Sequence, residues 1–566
     1  MRCSPVTSCP KPPRVPDPSP AAARRVLVIG GAGVFGARLV AGLLARTELH
    51  VIVAGRNPRR LPTATSRLSP LLLDVATVTA ESLAATGAFL VADAAGPYQG
   101  SSYRLARAAI AAGLHYVDLA DARDFVAGFP ALHAAASAAG IVALTGASST
   151  PALSNAVLDE LTQGWRRVDH IDIAISPGNR APRGLSVIRS ILSYAGRPVR
   201  VFTAGAWADM PGWGMLIRRD LPALGPRFLS LAETPDLDIV PRRFRVTDTA
   251  LFRAGLELPA LHLGLWLASL LVRARLLSSL APMARPVRTL AAAFTPFGTD
   301  RGGMLVEATG LDAQGTAMRA TWSLLAEAGD GPAIPTLPAL AAIRALADGR
   351  LRTPGAFACA GILPLDDIQA EFAPHRITTQ IRTQPAPPAL YARILGAAFA
   401  SLPAPIQHVH NPGWGSRLAG TAMVEGPGSK LAHLVAAIFR FPPAGQAVPI
   451  TVRITPCAEG ETWRRDFAGK RFTSVLSARD RPGHISERFG LLTFHLRLHT
   501  GPTGITGMPV TAWRCGPFPM PLFLAPTSIV SESADEAGRF RFDVALYLPF
   551  GLGRLVRYRG WLTPKI

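Results

Sequence analysis

Lysine is almost missing from this 566-residue chain: it occurs only at 11, 430, 470 and 565, so nearly all of the 59 basic residues are arginine. That scarcity excludes reductase chemistry built on a Tyr-x-x-x-Lys pair, because Lys11 is the only lysine before 430. Cysteine is scarce too. Cys3, Cys9, Cys359, Cys457 and Cys515 are too few and too scattered for a disulfide framework, and none sits in a CxxC pair or at metal-ligand spacing to a histidine. A reducing, cytoplasmic location is the default. The first twenty residues have seven prolines and no apolar h-region, so no secretory signal is expected and residues 1–23 read as a disordered leader. Charged residues are few, 17% against 49% hydrophobic, which excludes a wholly disordered chain. The formal charge of +21 suggests an anionic partner. The arginines, however, are spread along the chain and form no basic cluster interleaved with aromatics, so nucleic acid is not expected.

What is present begins at Arg24. Val26–Ile29 is a continuous apolar run ending in glycine, as a strand buried on both faces should be. Similar runs recur at 51–53, 71–73, 89–91, 116–119 and 141–144, with Ala-rich helical stretches such as Tyr103–Ala112 between several of them. Strands alternating with helices at this spacing predict an α/β fold: a doubly wound parallel sheet over 24–150. Residues 151–382 predict a second α/β (α+β) domain for substrate or dimerisation. It has strands near 171–174 and 199–202 and a long apolar helix over 260–280. Thr383–Pro388 reads as a stiff linker. Beyond it, 389–566 alternates with period two, as in Val448, Ile450, Val452 and Ile454, and predicts a mostly antiparallel β domain.

Gly31-Ala32-Gly33-Val34-Phe35-Gly36 is G-x-G-x-x-G directly after a strand and opening a helix. Its glycines permit the tight turn, the approach to a pyrophosphate and close helix–strand packing, and the helix-start amides hold the phosphates. The second strand ends in Ala54-Gly55-Arg56-Asn57-Pro58-Arg59-Arg60, without the carboxylate that would accept the ribose hydroxyls of NAD. A guanidinium at Arg56 suits a 2′-phosphate instead, so the expected cofactor is NADP(H). Asn57, Asp74 and the loop Ala95-Gly96-Pro97 complete the candidate cofactor residues. Asp74 is read either as capping the adenine edge or as a helix N-cap. Tyr98, Tyr116 and Asp118 are the candidate proton handlers at the sheet's carboxyl edge, with helix capping by Asp118 and packing by Tyr116 as the alternative. His115 reads as a strand-edge residue.

Gly31–Gly36, Ala54–Pro58, Ala95–Tyr98 and His115–Leu119 resemble, in order and spacing, the reductase-type saccharopine dehydrogenases and their relatives. Leu144–Ser148 is similar to that family's sixth strand and following loop. The resemblance implies a Rossmann domain followed by a second domain that carries the substrate, with cationic groups there for a dicarboxylic amino acid. Arg183, Arg189 and Arg197 lie in the matching region without aligning to individual ligands. Residues 389–565 resemble a bacterial domain of unassigned function fused behind such reductases, through Trp463–Phe467 and Arg557–Leu562. The expected activity is NADPH-dependent reduction of a C=N, C=O or activated C=C bond in a small-molecule, lipid-like substrate. The alternative is a dinucleotide-binding module without turnover.

Two further segments stay open at this level. The apolar stretch 256–280, broken by Glu257, Pro259, His262 and Ser269, reads as buried in a core or homodimer interface, as an interfacial helix, or as a membrane span, for which it falls short of the ~20 apolar residues needed. In the second case Leu265, Trp266 and Leu270 would dip into lipid beside Arg273 and Arg275. In the C-terminal domain His408 and His410 lack a third ligand, so no metal is expected. Arg453, Arg464, Arg465 and Arg497 form either a solvated β face or a surface for an anionic group.

Overall fold

The computed structural model describes residues 24–182, 184–203, 205–385, 388–411, 416–457 and 460–564. The leader, Cys3, Cys9 and Arg183 lie outside these residues, as do positions 386 and 387 of the expected linker. The chain divides into two compact units. One comprises the segment ending at Gln163 with Ile171–Val306 and Trp322–Ile381; the other comprises Gly164–His170, Glu307–Thr321 and Arg382–Ile566.

The first unit holds the parallel sheet. Its strands are β1 (Arg25–Ile29), β2 (His50–Gly55), β3 (Leu68–Leu72), β4 (Ala88–Asp93), β5 (His115–Asp118) and β6 (Val142–Thr145). They lie in the order β6-β5-β4-β1-β2-β3, doubly wound about β1, and every pairing is parallel. Val26, Leu27, Val28 and Ile29 are buried on both faces, which is why that run carries no alternation. A seventh strand, Gly355–Ala358, pairs in parallel with β6. The sequence reading closes this domain at 150 and misses it, because four small or aromatic residues lying far along the chain give no periodic signal. β3 also begins three residues earlier than expected. It is an edge strand with Pro70 inside it, and of its residues only Leu68 is buried.

The helix α1 (Val34–Arg46) follows β1 and buries Gly36, Leu39, Val40 and Leu43. The second sheet has nine strands and includes Arg167–Ser176 and Pro198–Thr203, which cover the two expected at 171–174 and 199–202. Its edge strand Ile377–Pro385 runs through positions 383–385, so the first half of the expected linker is β structure. Pro385 is tolerated at the end of an edge strand. The apolar helix is shorter than the run that encodes it: it spans Pro259–Arg273 and is followed by Arg275 in the left-handed region (φ 61°).

The C-terminal part is a thirteen-stranded sheet between Ser416 and Pro564, and its pairings among the described residues are antiparallel. Ile450, Val452 and Ile454 from one strand and Phe540 and Phe542 from another meet in one buried cluster, as their period-two spacing requires.

Candidate functional site

The site is built where β1 turns into α1. The chain leaves β1 through Gly30, which adopts φ 73°; a Cβ there would also stand 2.9 Å from Ala95 Cα. Gly30 N–H donates to Ala54 O (3.0 Å), and Gly33 N–H donates back to Gly30 O (2.9 Å), closing the turn. Gly33 is the N-cap of α1 and offers no side-chain cap, and the first turn holds no acidic residue. The helix-start amides of Val34, Phe35 and Gly36 therefore present positive partial charge without an internal neutraliser. A Cβ at Gly36 would fall 2.2 Å from Gly30 O, and one at Gly31 would fall 2.8 Å from Val53 Cγ1. These two glycines work by packing. Gly33 is exposed and borders open space, although a Cβ on it would stand 3.1 Å from Gly30 O.

That space is a hollow of about 740 Å³ at the carboxyl ends of β1, β2 and β4, where open α/β sheets bind ligands. Gly33, Arg56, Asn57, Asp74, Ala95, Gly96, Pro97, Tyr98 and Tyr116 all line it. Gly31, Val34, Phe35, Gly36 and Asp118 do not. Gly30, Arg60 and Asp93 line it as well, and the sequence reading had not assigned them there. In the sequence Arg60 is only one more arginine in the run that follows Arg56. Asp93 carried a usable signal: it is the polar residue ending the apolar run of β4, next to β1.

Arg56 is exposed at the end of β2 and no carboxylate stands at that strand end. Asn57 Oδ1 accepts from Arg59 N–H (3.0 Å) and so caps the short turn Pro58–Arg60. Asp74 is not a helix N-cap. Its Oδ1 accepts from Ala76 N–H (3.0 Å) within a turn, and the next helix, Ala80–Ala84, is capped by Thr79 with Ser82 in a reciprocal box.

Asp93 organises the candidate proton handlers. Its Oδ1 accepts from Ala95 N–H (2.9 Å), its carbonyl from Tyr98 Oη (2.7 Å) and its Oδ2 from Tyr116 Oη at 3.4 Å. Burial pushes its pKa up to about 6 against the opposing pull of the Ala95 and Tyr116 hydrogen bonds. Both phenols are driven well above the usual tyrosine range, chiefly by burial and then by nearby carboxylates, and so remain donors. Asp118 is fully buried. Its Oδ1 accepts from Ala120 N–H (2.9 Å), Gly146 N–H (2.8 Å) and Thr145 Oγ1 (2.9 Å), whereas Oδ2 has no partner. It thus ties the end of β5 to the turn after β6 rather than capping a helix, since the next helix starts at Arg123. Burial raises its pKa to about 7 despite those bonds. His115 Nδ1 accepts from Val142 N–H (3.0 Å), a structural role.

In the second sheet's region three of the four breaks in the apolar run, Glu257, His262 and Ser269, turn inward, whereas Pro259 is exposed. His262 Nδ1 accepts from Leu256 N–H (3.2 Å), so its proton sits on Nε2 and reaches Ser230 Oγ (2.9 Å); burial lowers its pKa to about 4. Glu257 accepts from Asn179 N–H, Thr299 N–H and Thr299 Oγ1. Leu265, Trp266 and Leu270 are half-buried, and the exposed apolar residues are instead Leu267, Leu271, Leu276 and Leu277. Among the described residues no helix is long and apolar enough to cross a membrane. Arg189 and Arg197 are exposed, and Arg197 Nε donates to Ser278 O (3.3 Å).

In the C-terminal sheet Arg464 and Arg465 point to opposite faces. Arg464 is exposed beside Arg453, whereas Arg465 faces the core. His410 is fully buried, with Nε2 2.6 Å from Glu532 Oε2. Among the described residues no group of three or more His, Cys, Asp or Glu could hold a metal ion.

Residues 26–144 match the family model described as the saccharopine dehydrogenase NADP binding domain, and residues 402–562 match a domain of unknown function, DUF4166. No curated protein matches the chain. Among solved structures it is similar to apo saccharopine dehydrogenase (L-Glu forming) from Saccharomyces cerevisiae, at 14% identity over 64% of this chain and 100% of that one, TM-score 0.48. A dehydrogenase from Chromobacterium violaceum is 13% identical over 63% and 96% of the two chains, TM-score 0.31. GenD2 from gentamicin A biosynthesis, solved with NAD, is 16% identical over 65% and 99%, TM-score 0.31. The chain therefore joins, over residues 26–144, a domain of the saccharopine dehydrogenase NADP-binding type to a C-terminal domain of unknown function over 402–562.

Proposed function

We propose that the protein is an NADPH-dependent oxidoreductase that reduces a C=N, C=O or activated C=C bond in a small, largely apolar molecule. The observation that carries this reading is Arg56, exposed on the rim of the glycine-turn hollow at the strand end where a ribose-binding carboxylate would select NAD. Bound NADPH supplies the hydride. The chain's own residues do the rest. Uncapped amides at the start of α1 hold the diphosphate, and the Gly36 cradle keeps them in place. Arg56, with Arg60 on the same rim, pairs with the 2′-phosphate. Tyr116 Oη, bonded to Asp93 Oδ2, gives a proton to the reduced centre and regains one through the carboxyl. Tyr98 holds the Asp93 backbone, and Asp118 positions the end of β5.

Calorimetric titration tests the reading. NADPH should bind more tightly than NADH, and Arg56→Ala should cost about 1–2 kcal/mol with NADPH, with Arg60 limiting the loss, and almost nothing with NADH. Tighter binding of NADH by the unaltered protein would overturn the cofactor assignment. Tight NADPH binding with no consumption by any carbonyl or imine substrate would favour the dinucleotide-binding module instead.

A second reading concerns where the protein works. Between 258 and 299 the chain has four arginines (Arg273, Arg275, Arg285, Arg288) and no acidic residue. In the same stretch Leu276 is 71% and Phe297 74% exposed. We infer that this segment rests on an anionic membrane surface, its exposed leucines in the interface and its arginines on headgroups.

A further inference from the structure

The strand Gly460–Phe467 of the C-terminal sheet alternates Trp463, Arg465 and Phe467 on its inner face. An arginine between two buried aromatics is out of place in a core, where taking a charge from water costs several kcal/mol unless it is well paired. Arg465 lies on the wall of a cavity of about 260 Å³. The rest of that wall is mainly aromatic and aliphatic, with Phe472, Phe494, Leu496, Trp513 and Tyr558 from neighbouring strands.

Every charge on this wall has a partner. Arg465 Nη2 donates to Glu487 Oε1 (3.4 Å) and Nη1 to Ser474 Oγ (2.8 Å), and the guanidinium carbon lies 5.1 Å from the Trp463 ring centre. Those bonds use two of its five N–H donors. Glu532, the other wall carboxylate, sits 2.6 Å from His410 Nε2, and His410 in turn stacks on Tyr391 with ring centres 3.7 Å apart. A ligand bearing its own carboxylate would add an unmatched negative charge facing Glu487 and Glu532. A neutral hydroxyl or carbonyl adds none and can accept from a remaining Arg465 N–H. The volume sets the size of the ligand. A dry cavity of about 150 Å³ takes benzene, so this one suits roughly ten non-hydrogen atoms.

We propose that the C-terminal domain binds one neutral, medium-length apolar molecule, an alcohol or carbonyl compound, with its oxygen at Arg465 and its hydrocarbon among the aromatic walls. This binding is separate from the dinucleotide site and needs no coenzyme. Titration of the full chain with decan-1-ol and with decanoate at pH 8 tests it. The expected result is saturable binding of one decan-1-ol per chain, at least tenfold tighter than decanoate. Leu546→Trp, which fills the cavity, should abolish it. Arg465→Met should narrow the preference for the alcohol at least fivefold. Each variant is checked for folding by its thermal melt and by unchanged NADPH binding. Absence of saturable decan-1-ol binding by the unaltered protein, a preference for decanoate, or unchanged binding by a folded Leu546→Trp chain would each overturn the proposal. The unaltered protein's choice between the two ligands decides the matter even if neither variant folds.

Discussion

Replacing Gly36 with alanine probes the dinucleotide site at its tightest point. The added Cβ would stand 2.2 Å from Gly30 O and 2.8 Å from both Gly30 C and Gly31 Cα, all backbone atoms. A carbon–oxygen contact needs about 3.3 Å, so the two segments must part by about 1 Å. Gly30 has nowhere to retreat. Its N–H is bound to Ala54 O, and its other side abuts Ala94 and Ala95. The start of α1 must therefore move, at an overpacking cost of about 1–3 kcal/mol in stability. A shift of ~1 Å carries a hydrogen bond of ~2.9 Å beyond its useful range. Losing two amide bonds to a charged diphosphate removes about 3 kcal/mol or more, so NADPH and NADH should both bind at least ~100-fold more weakly. Gly42, in the same helix, is the control. Its added Cβ would meet only the end of Leu340 (Cδ2 at 3.0 Å), a group free to turn aside. Gly42→Ala should keep coenzyme affinity and gain up to about 1 kcal/mol from helix propensity. Calorimetric titration and thermal melts of both variants give the answer. A Gly36→Ala protein that binds NADPH within twofold of the unaltered chain would refute the role given to this cradle.

Two other outcomes are expected. Asp93 and Asp118 have folded pKa values raised to about 6 and about 7, so between about pH 4 and 7 the folded chain keeps protons that the unfolded chain has released. Their contribution to stability is therefore present at low pH and lost as pH rises through that window, on the order of a few kcal/mol in all. Asp118→Asn keeps the acceptor for Ala120 and Gly146 without the charge and should flatten that part of the melting-temperature profile; parallel profiles would refute the assignment. On the membrane side, the full chain should float with vesicles containing anionic lipid and not with neutral ones. Leu271→Glu with Leu276→Glu should leave it at the bottom of the gradient, whereas flotation that is unaffected by the pair would exclude this segment.

Legibility in the sequence followed the range of the interactions. Val26–Ile29 announces a strand because both its faces are buried. Gly31–Gly36 announces a turn because its backbone alone must do the work. Arg56 can be read because it ends a strand whose partner residue types are chemically restricted. Asp93 was missed because its role depends on Tyr116, which arrives 23 residues later on the neighbouring strand β5. Asp118 looked like a helix cap because Gly146, its true partner, is supplied by a turn 28 residues on. The helix Pro259–Arg273 misled for a related reason. His262 and Ser269 appear to interrupt an apolar face, yet they are the buried residues, and the exposed ones are leucines. Arg465 was grouped with Arg464 as one basic face, although neighbours in a strand point to opposite sides.

The late arrival of Gly355–Ala358 has a practical consequence. Until the ribosome has added those residues, roughly 200 after β6, Val142–Thr145 lacks its outer neighbour and exposes a row of unpaired amides and carbonyls. At ~5–20 residues per second that interval lasts on the order of 10–40 s. A fragment cut near residue 150 would live with that open edge permanently and should self-associate, so the smallest soluble piece carrying the coenzyme site extends past Ala358.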